Sequence, residues 1–192
     1  VKTDRKTFFQ NRASLRSYLL DVAAADGDAP ATGDRVLNFR HVPIKVGVTG
    51  YVLKGDRILL LERSNLVQFP GKWSTVSGYI DNVDWIHDRP NFCRDHLIQE
   101  FQEEIGWQLS DTQLSDTMQL WECGTYTIDE PTVKLHLEMF ALKVEQTVPE
   151  ICLNCEHTAY QWQSIDQLAA LEPILMPHFI PALQVAGLLR SA

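Results

Sequence analysis

A chain of 192 residues, 45% of them hydrophobic, suits one domain with or without an extension and can bury a sizeable core, which excludes a disordered protein. Its formal net charge of −8 argues against a nucleic-acid duplex or an anionic membrane as the main partner. A phosphate-bearing small molecule stays open, because a bound metal ion and a few local cations can neutralise it.

No apolar run reaches the ~18 residues that a membrane span requires, and residues 1–12 lack the apolar stretch of a secretory leader. Cysteines 93, 123, 152 and 155 are too few and too scattered for a disulfide scaffold. A reducing cytoplasm is the expected compartment.

Residues 12–24 are predicted to form an amphipathic helix with Leu15, Tyr18, Leu19 and Val22 on one face. Residues 25–34 are small, acidic and turn-rich, and read as a linker. The chain therefore divides into an N-terminal extension, 1–35, and a main domain, 36–192. That domain opens with a hairpin: an apolar, β-branched strand over 46–54, a turn at Gly55 and Asp56, and a second strand over 57–63. A loop over 64–72, carrying Pro70 and Gly71, leads into a short segment at 73–80. Pro90 suits the first turn of a helix, with Asp88 or Asn91 near the cap. Cys93, Leu97, Phe101 and Ile105 give that helix its buried stripe, and Gly106 is placed to end it in a left-handed conformation. Strands are expected at 118–128, 133–144 and 159–162, and helices at 165–171 and 177–189. Alternating strands and helices without repeats predict an α/β layered sandwich.

Glu100, Glu103 and Glu104 share one side of the predicted helix, beside its apolar stripe. Like charges at these spacings destabilise a helix, and a hard divalent cation such as Mg²⁺ or Mn²⁺ reverses that sign. The competing reading is a solvated acidic face. Cys152, Cys155 and His157 invite a zinc reading, but no second ligand pair is visible, so core or loop cysteines are expected. Trp73, Tyr79 and Trp85 are candidates to stack on a base, with ordinary packing as the alternative.

Taken in order, these residues resemble the Nudix hydrolase family. Its signature runs Gly, five residues, Glu, seven residues, Arg-Glu, an aliphatic residue, any residue, Glu-Glu, any residue, Gly and an aliphatic residue. This chain offers Gly78, five residues, Asp84, fourteen residues, and then Gln99-Glu100-Phe101-Gln102-Glu103-Glu104-Ile105-Gly106-Trp107. Residues 59–63, Pro70-Gly71-Lys72-Trp73, 156–162 and Ile165-Asp166-Gln167-Leu168 resemble its flanking segments, so the likeness covers roughly 43–190.

The resemblance implies a Nudix-type α/β/α sandwich with a mixed β-sheet. It implies a Mg²⁺- or Mn²⁺-dependent hydrolase that cleaves a diphosphate linkage in a nucleoside diphosphate derivative. The partner would then be a small-molecule diphosphate, and a homodimer is compatible. Glu100, Glu103 and Glu104 are the implied catalytic and metal-site carboxylates: Glu100 and Glu104 as direct ligands, Glu103 direct or through water. A backbone carbonyl near Ser77 and Gly78 completes the implied shell. Glu156 is a candidate late metal ligand or base. Arg63, Lys72 and Gly78 are candidates for substrate binding, with plain solvation as the alternative for the two cations.

Two departures stand out. Gln99 occupies the place of the arginine that pairs with the first box acid, here Asp84, and a Gln–Asp hydrogen bond lacks the guanidinium's charge and fork. Seven extra residues also fall in this loop, so 81–92 is expected to bulge, either mobile or packed on itself. The expectation is a slow but active hydrolase that Gln99→Arg would accelerate, provided Asp84 reaches the new side chain. The alternatives are a catalytically weak Nudix-fold nucleotide-binding module and, less favoured, an enzyme similar to isopentenyl-diphosphate isomerases. For the latter, no acid and cysteine can be assigned.

Overall fold

The computed structural model describes residues 7–25, 35–40, 42–145 and 147–190. All of the acidic linker after Ala25 lies outside them. α1 (Arg12–Ala25) buries Leu15 and Leu19 completely, in the same cluster as Val46, Val48 and Phe92. The Tyr18 hydroxyl donates to the Ile44 carbonyl at 2.9 Å and accepts from the Ile44 amide at 3.0 Å. The Arg12 guanidinium spans Glu122 and Glu138, at 2.9 Å each, and ties the start of the helix to the sheet.

β1 (Lys45–Lys54) and β2 (Arg57–Arg63) form the expected hairpin, with Gly55 at a φ of 60° in its turn. β3 (Trp73–Ser74) and β4 (Val76–Tyr79) follow, then α2 (Val83–Asp88), α3 (Phe92–Ile105) and α4 (Asp111–Asp116). The long antiparallel pair β5 (Met118–Glu130) and β6 (Val133–Val144) precedes β7 (His157–Ser164), a 3₁₀ helix (Ile165–Ile174) and α5 (Phe179–Val185). The strand order is β3-β2-β1-β6-β5, with β4 added to β1 and β7 to β2. β1 and β6 run parallel and the other pairs antiparallel, so the sheet is mixed.

Alternation along β1 feeds two cores. Val46, Val48 and Val52 face α1 and α3, whereas Tyr51 and Leu53 face the 3₁₀ helix and α5. This is an α/β/α sandwich. α3 lies directly on β1 because Gly50 leaves room: a Cβ there would sit 2.7 Å from Phe101 and 2.8 Å from Leu97. Cys93, Leu97, Phe101 and Ile105 are all buried, and Gly106 ends the helix at a φ of 76°.

The long loop is folded, and it packs on the main core beside α1 rather than on itself. It contains α2, whose start is capped by Asn82: the side-chain oxygen accepts from the Trp85 amide at 3.0 Å, and Val83 and Ile86 are buried beneath. α3 begins at Phe92 with Asn91 at its N-cap, one of the two caps expected, so Pro90 stands just before the helix rather than in its first turn.

Three local expectations change. Residues 165–171 belong to a 3₁₀ helix that runs on to Ile174; Pro173 removes a donor and disfavours helical geometry at Glu172. The last helix is shorter than 177–189, because His178 at a φ of 65° reverses the chain before it and Gly187 at 72° ends it. α4 was not anticipated, although Ser110 and Gln113 form a reciprocal capping box. Among the described residues no helix is long and apolar enough to cross a membrane.

Candidate active site

The site forms where α3 crosses β4. Ile80 donates to the Val46 carbonyl at 3.0 Å, and this register makes Val48 and Gly78 a hydrogen-bonded pair. Ser77, opposite Thr49, therefore turns its amide and carbonyl away from β1. Its amide donates to Glu104 Oε2 at 3.2 Å. One step along the strand, the Glu100 carboxylate rests on the bare Cα of Gly78, where a side chain would collide. By the same register, the carbonyl free to join these carboxylates is that of Ser77 rather than of Gly78.

The segment before β7 runs along the end of α3. The Cys152 amide donates to the Ile105 carbonyl at 3.0 Å and the Asn154 amide to the Glu104 carbonyl at 3.2 Å, pairing carbonyls that a helix end leaves free. Ser64 holds the same segment through its amide on the Glu156 carbonyl at 2.7 Å and its hydroxyl on the Cys155 carbonyl at 2.8 Å. His157 is thereby buried against Glu104, with Nε2 at 3.4 Å from Oε1. That separation lacks hydrogen-bond geometry, and neither ring nitrogen has a hydrogen-bond partner among the described residues.

The electrostatics follow from crowding. Burial, then the charges of Glu104, Glu103, Asp81 and Glu156, push the Glu100 pKa up to about 9. Burial also raises that of Glu104, against the opposing pull of His157 and the Ser77 amide. Asp81 is raised by burial and by Glu103, with its own backbone amide opposing. Five carboxylates thus repel one another in a partly desolvated space.

Whether this cluster suits a divalent ion is a matter of donor chemistry. Among the described residues no three His, Cys, Asp or Glu side chains form a ready cage. Mg²⁺ needs none, being held by one or two carboxylates, water and substrate phosphates. Glu100 and Glu104, with the Ser77 carbonyl, are the groups that fit it.

No protein-family model matches the chain. No curated protein matches it either. Solved structures do. The MutT protein from Methanosarcina mazei Go1 superposes with a TM-score of 0.56 at 19% identity, over 76% of this chain and 94% of that one. The NUDIX domain of Shewanella oneidensis NrtR, solved with ADP ribose, gives 0.54 at 13% identity, over 75% and 86%. A bifunctional NMN adenylyltransferase/ADP ribose pyrophosphatase from Francisella tularensis, complexed with AMP and Mn ion, gives 0.56 at 15% identity, over 88% of this chain and 45% of that one.

The chain has the Nudix fold.

The helix that the resemblance implies would carry the metal-site carboxylates is α3, and the loop before it spans 81–91. The Gln99–Asp84 contact considered for this loop does not form. The Gln99 side-chain amide donates to Glu103 Oε1 at 2.6 Å, while Asp84 turns outward to Arg35 at 3.4 Å. α2, formed within the lengthened loop, carries Asp84 on its first turn, where Arg35 reaches it.

The two candidate phosphate-binding cations differ in their placement, Arg63 lying beside His157 in the sheet and Lys72 on the other side of it. Arg63 Nε donates to the Gln68 carbonyl at 2.6 Å and braces its own loop. Lys72 Nζ donates to the Pro173 carbonyl at 2.6 Å and borders a cavity of about 230 Å³ with Leu175 and Phe179, in the layer opposite α3. The structure therefore brings together Glu100, Glu103, Glu104, Gly78 and Glu156, and leaves Lys72 apart.

Sequence reasoning missed Asp81 and His157. Asp81, three residues after Gly78, carried no spacing signal. His157 stood in the segment that resembles the closing strand, and only the fold shows which side chain it meets. Trp73 joins the second core, Trp85 meets His96 and Arg89, and Tyr79 lies against Phe39 with 42% of its surface exposed.

Proposed function

We propose that this chain is a divalent-metal-dependent hydrolase of the Nudix type that cleaves a diphosphate linkage in a nucleoside diphosphate derivative. One observation carries the reading: Glu100 and Glu104 are pressed together at Gly78 and Ser77 in a surround that opposes their ionisation. A buried, unneutralised acid cluster is costly. It suits a divalent cation and, through it, an anionic substrate that a chain of net charge −8 would otherwise repel.

When bound, Mg²⁺ or Mn²⁺ would supply charge for the phosphate oxygens and acidify water. Glu100 and Glu104 are the residues to hold it. The Ser77 amide holds the Glu104 carboxylate by a hydrogen bond, and the His157 ring packs beside it. Water attacks one phosphorus, the bridging P–O bond breaks, and the water's proton passes to a carboxylate. Glu103, exposed, and Glu156, half-buried, are the two acids placed to receive it. ADP ribose and AMP with Mn ion, present in the Shewanella and Francisella structures, support this substrate class. Four unpaired cysteines, two of them exposed, suit a reducing compartment such as the cytoplasm.

A second reading, a nucleotide-binding module without efficient catalysis, is favoured by Gln99 and Asp84 facing different partners. A phosphate-release screen of nucleoside diphosphate derivatives with Mg²⁺ and with Mn²⁺, followed by product analysis, decides between them. The hydrolase reading expects release that Glu104→Gln abolishes. Tight nucleotide binding without product at any metal concentration establishes the module instead.

A further inference from the structure

The box loop is seven residues longer than the family signature allows, and the signature's arginine is absent, yet the loop folds into a capped helix. We propose that His96 is the positioning residue of this loop: with a neutral ring it accepts the Asn82 amide, and so places the preceding Asp81 among the site's carboxylates. The inference rests on the proposed metal site only for its metal-binding consequence.

His96 is 2% exposed on α3, four residues before Glu100. Its Nε2 stands 3.0 Å from the Asn82 backbone nitrogen and its Nδ1 stands 2.6 Å from the Phe92 carbonyl. An amide only donates and a carbonyl only accepts, so the proton is assigned to Nδ1 and the lone pair to Nε2. The ring has no freedom to exchange these roles. Its edge meets Trp85 at 5.3 Å between centroids, and the Arg89 guanidinium covers the same indole at 3.8 Å.

Asn82 is the junction of the loop. Its amide goes to His96, its side chain caps α2 and it makes an isolated antiparallel bridge with Val36. Just before it, the Asp81 carbonyl accepts from the Leu37 amide at 2.7 Å. Asp81 is thus pinned on both sides, with its charge acting on Glu100. Neither Gln99 nor Asp84 contributes to this arrangement, since each has another partner. A purely packing role would need the ring's shape but not its lone pair, and this difference is testable.

The experiment compares the intact chain with His96→Phe and His96→Gln. Imidazole ¹⁵N shifts read the tautomer, amide exchange reads residues 81–88, and water-proton relaxation reads Mn²⁺ binding. The proposal expects Nε2 to be unprotonated in the unaltered chain. It expects His96→Phe, which keeps the shape, to speed exchange of the Asn82 amide about tenfold or more and to weaken Mn²⁺ binding about 10–100-fold, the usual effect of losing an outer partner. His96→Gln, whose side-chain oxygen can accept the same amide, should recover much of both.

A proton on Nε2, or an Asn82 amide as protected in His96→Phe as in the unaltered chain, overturns the proposal. If His96→Phe does not fold, the tautomer and the Asn82 amide of His96→Gln decide it. Failure of the unaltered chain to bind Mn²⁺ or release phosphate counts against the hydrolase reading and leaves the exchange data to judge His96.

Discussion

The carboxylate of Glu100 lies against the Cα of Gly78, in the space that a Cβ at that position would fill. The three nearest atoms in the way are the far end of one flexible side chain. Gly78→Ala should therefore displace the Glu100 carboxylate while leaving the fold standing. Mn²⁺ affinity and phosphate release should drop at least about tenfold, the scale on which small misplacements act at reacting centres, with little change in Tm. A large fall in Tm with Mn²⁺ affinity intact would contradict this placement.

Gly50 makes the opposite contrast. A Cβ there meets the Phe101 ring and both methyls of Leu97, which are locked in the core and cannot swing aside. Overpacking of this kind costs about 1–3 kcal/mol, which for a chain of this size lowers Tm by about 2–4 °C per kcal/mol. Gly50→Ala is thus expected to lose stability measurably in thermal unfolding, unlike Gly78→Ala.

The pKa of Glu100, raised from 4.5 to about 9, fixes the sign of a pH dependence. Across that window the folded, metal-free chain keeps a proton that the unfolded chain has released. Stability is highest near the lower limit, declines as pH rises, and levels off above the folded value. Glu104 and Asp81, also raised, act with the same sign. Urea midpoints in chelator at about pH 7.5 and about pH 9.5, above the range in which the His96 ring, kept neutral by burial, acts with the opposite sign, should show the decline, and Mn²⁺ should reduce it. Glu100→Gln should flatten it. A midpoint that rises with pH over this range would refute the assignment.

Gln99→Arg was expected to speed catalysis by reaching Asp84. The structure redirects that expectation, because Asp84 is held by Arg35 and the partner of Gln99 is Glu103. An arginine here gains an exposed helix pair worth about 0–1 kcal/mol. The predicted change in kcat/KM is less than about fivefold in either direction. A rise of tenfold or more, measured on the best substrate, would mean that the loop can rearrange to meet it.

Local pattern alone settled much of this protein. The β1–β2 hairpin, the buried stripe of α3 and its stop at Gly106 are written in periodicity and turn chemistry, which act over a few residues. For the same reason Glu100, Glu103 and Glu104 could be placed on one helix face without a structure, since i, i+3 and i+4 are neighbours on any helix. What no local pattern carries is which distant segment a side chain meets. The parallel pairing of β1 with β6, the burial of Leu15 and Leu19 in the main core, and the approach of Asp81 and His157 to the glutamates depend on long-range packing. So does the turning of Asp84 to Arg35 and of Lys72 to Pro173. A charged side chain has several partners within reach of its sequence neighbourhood. Only the folded chain, by burying some and solvating others, selects one.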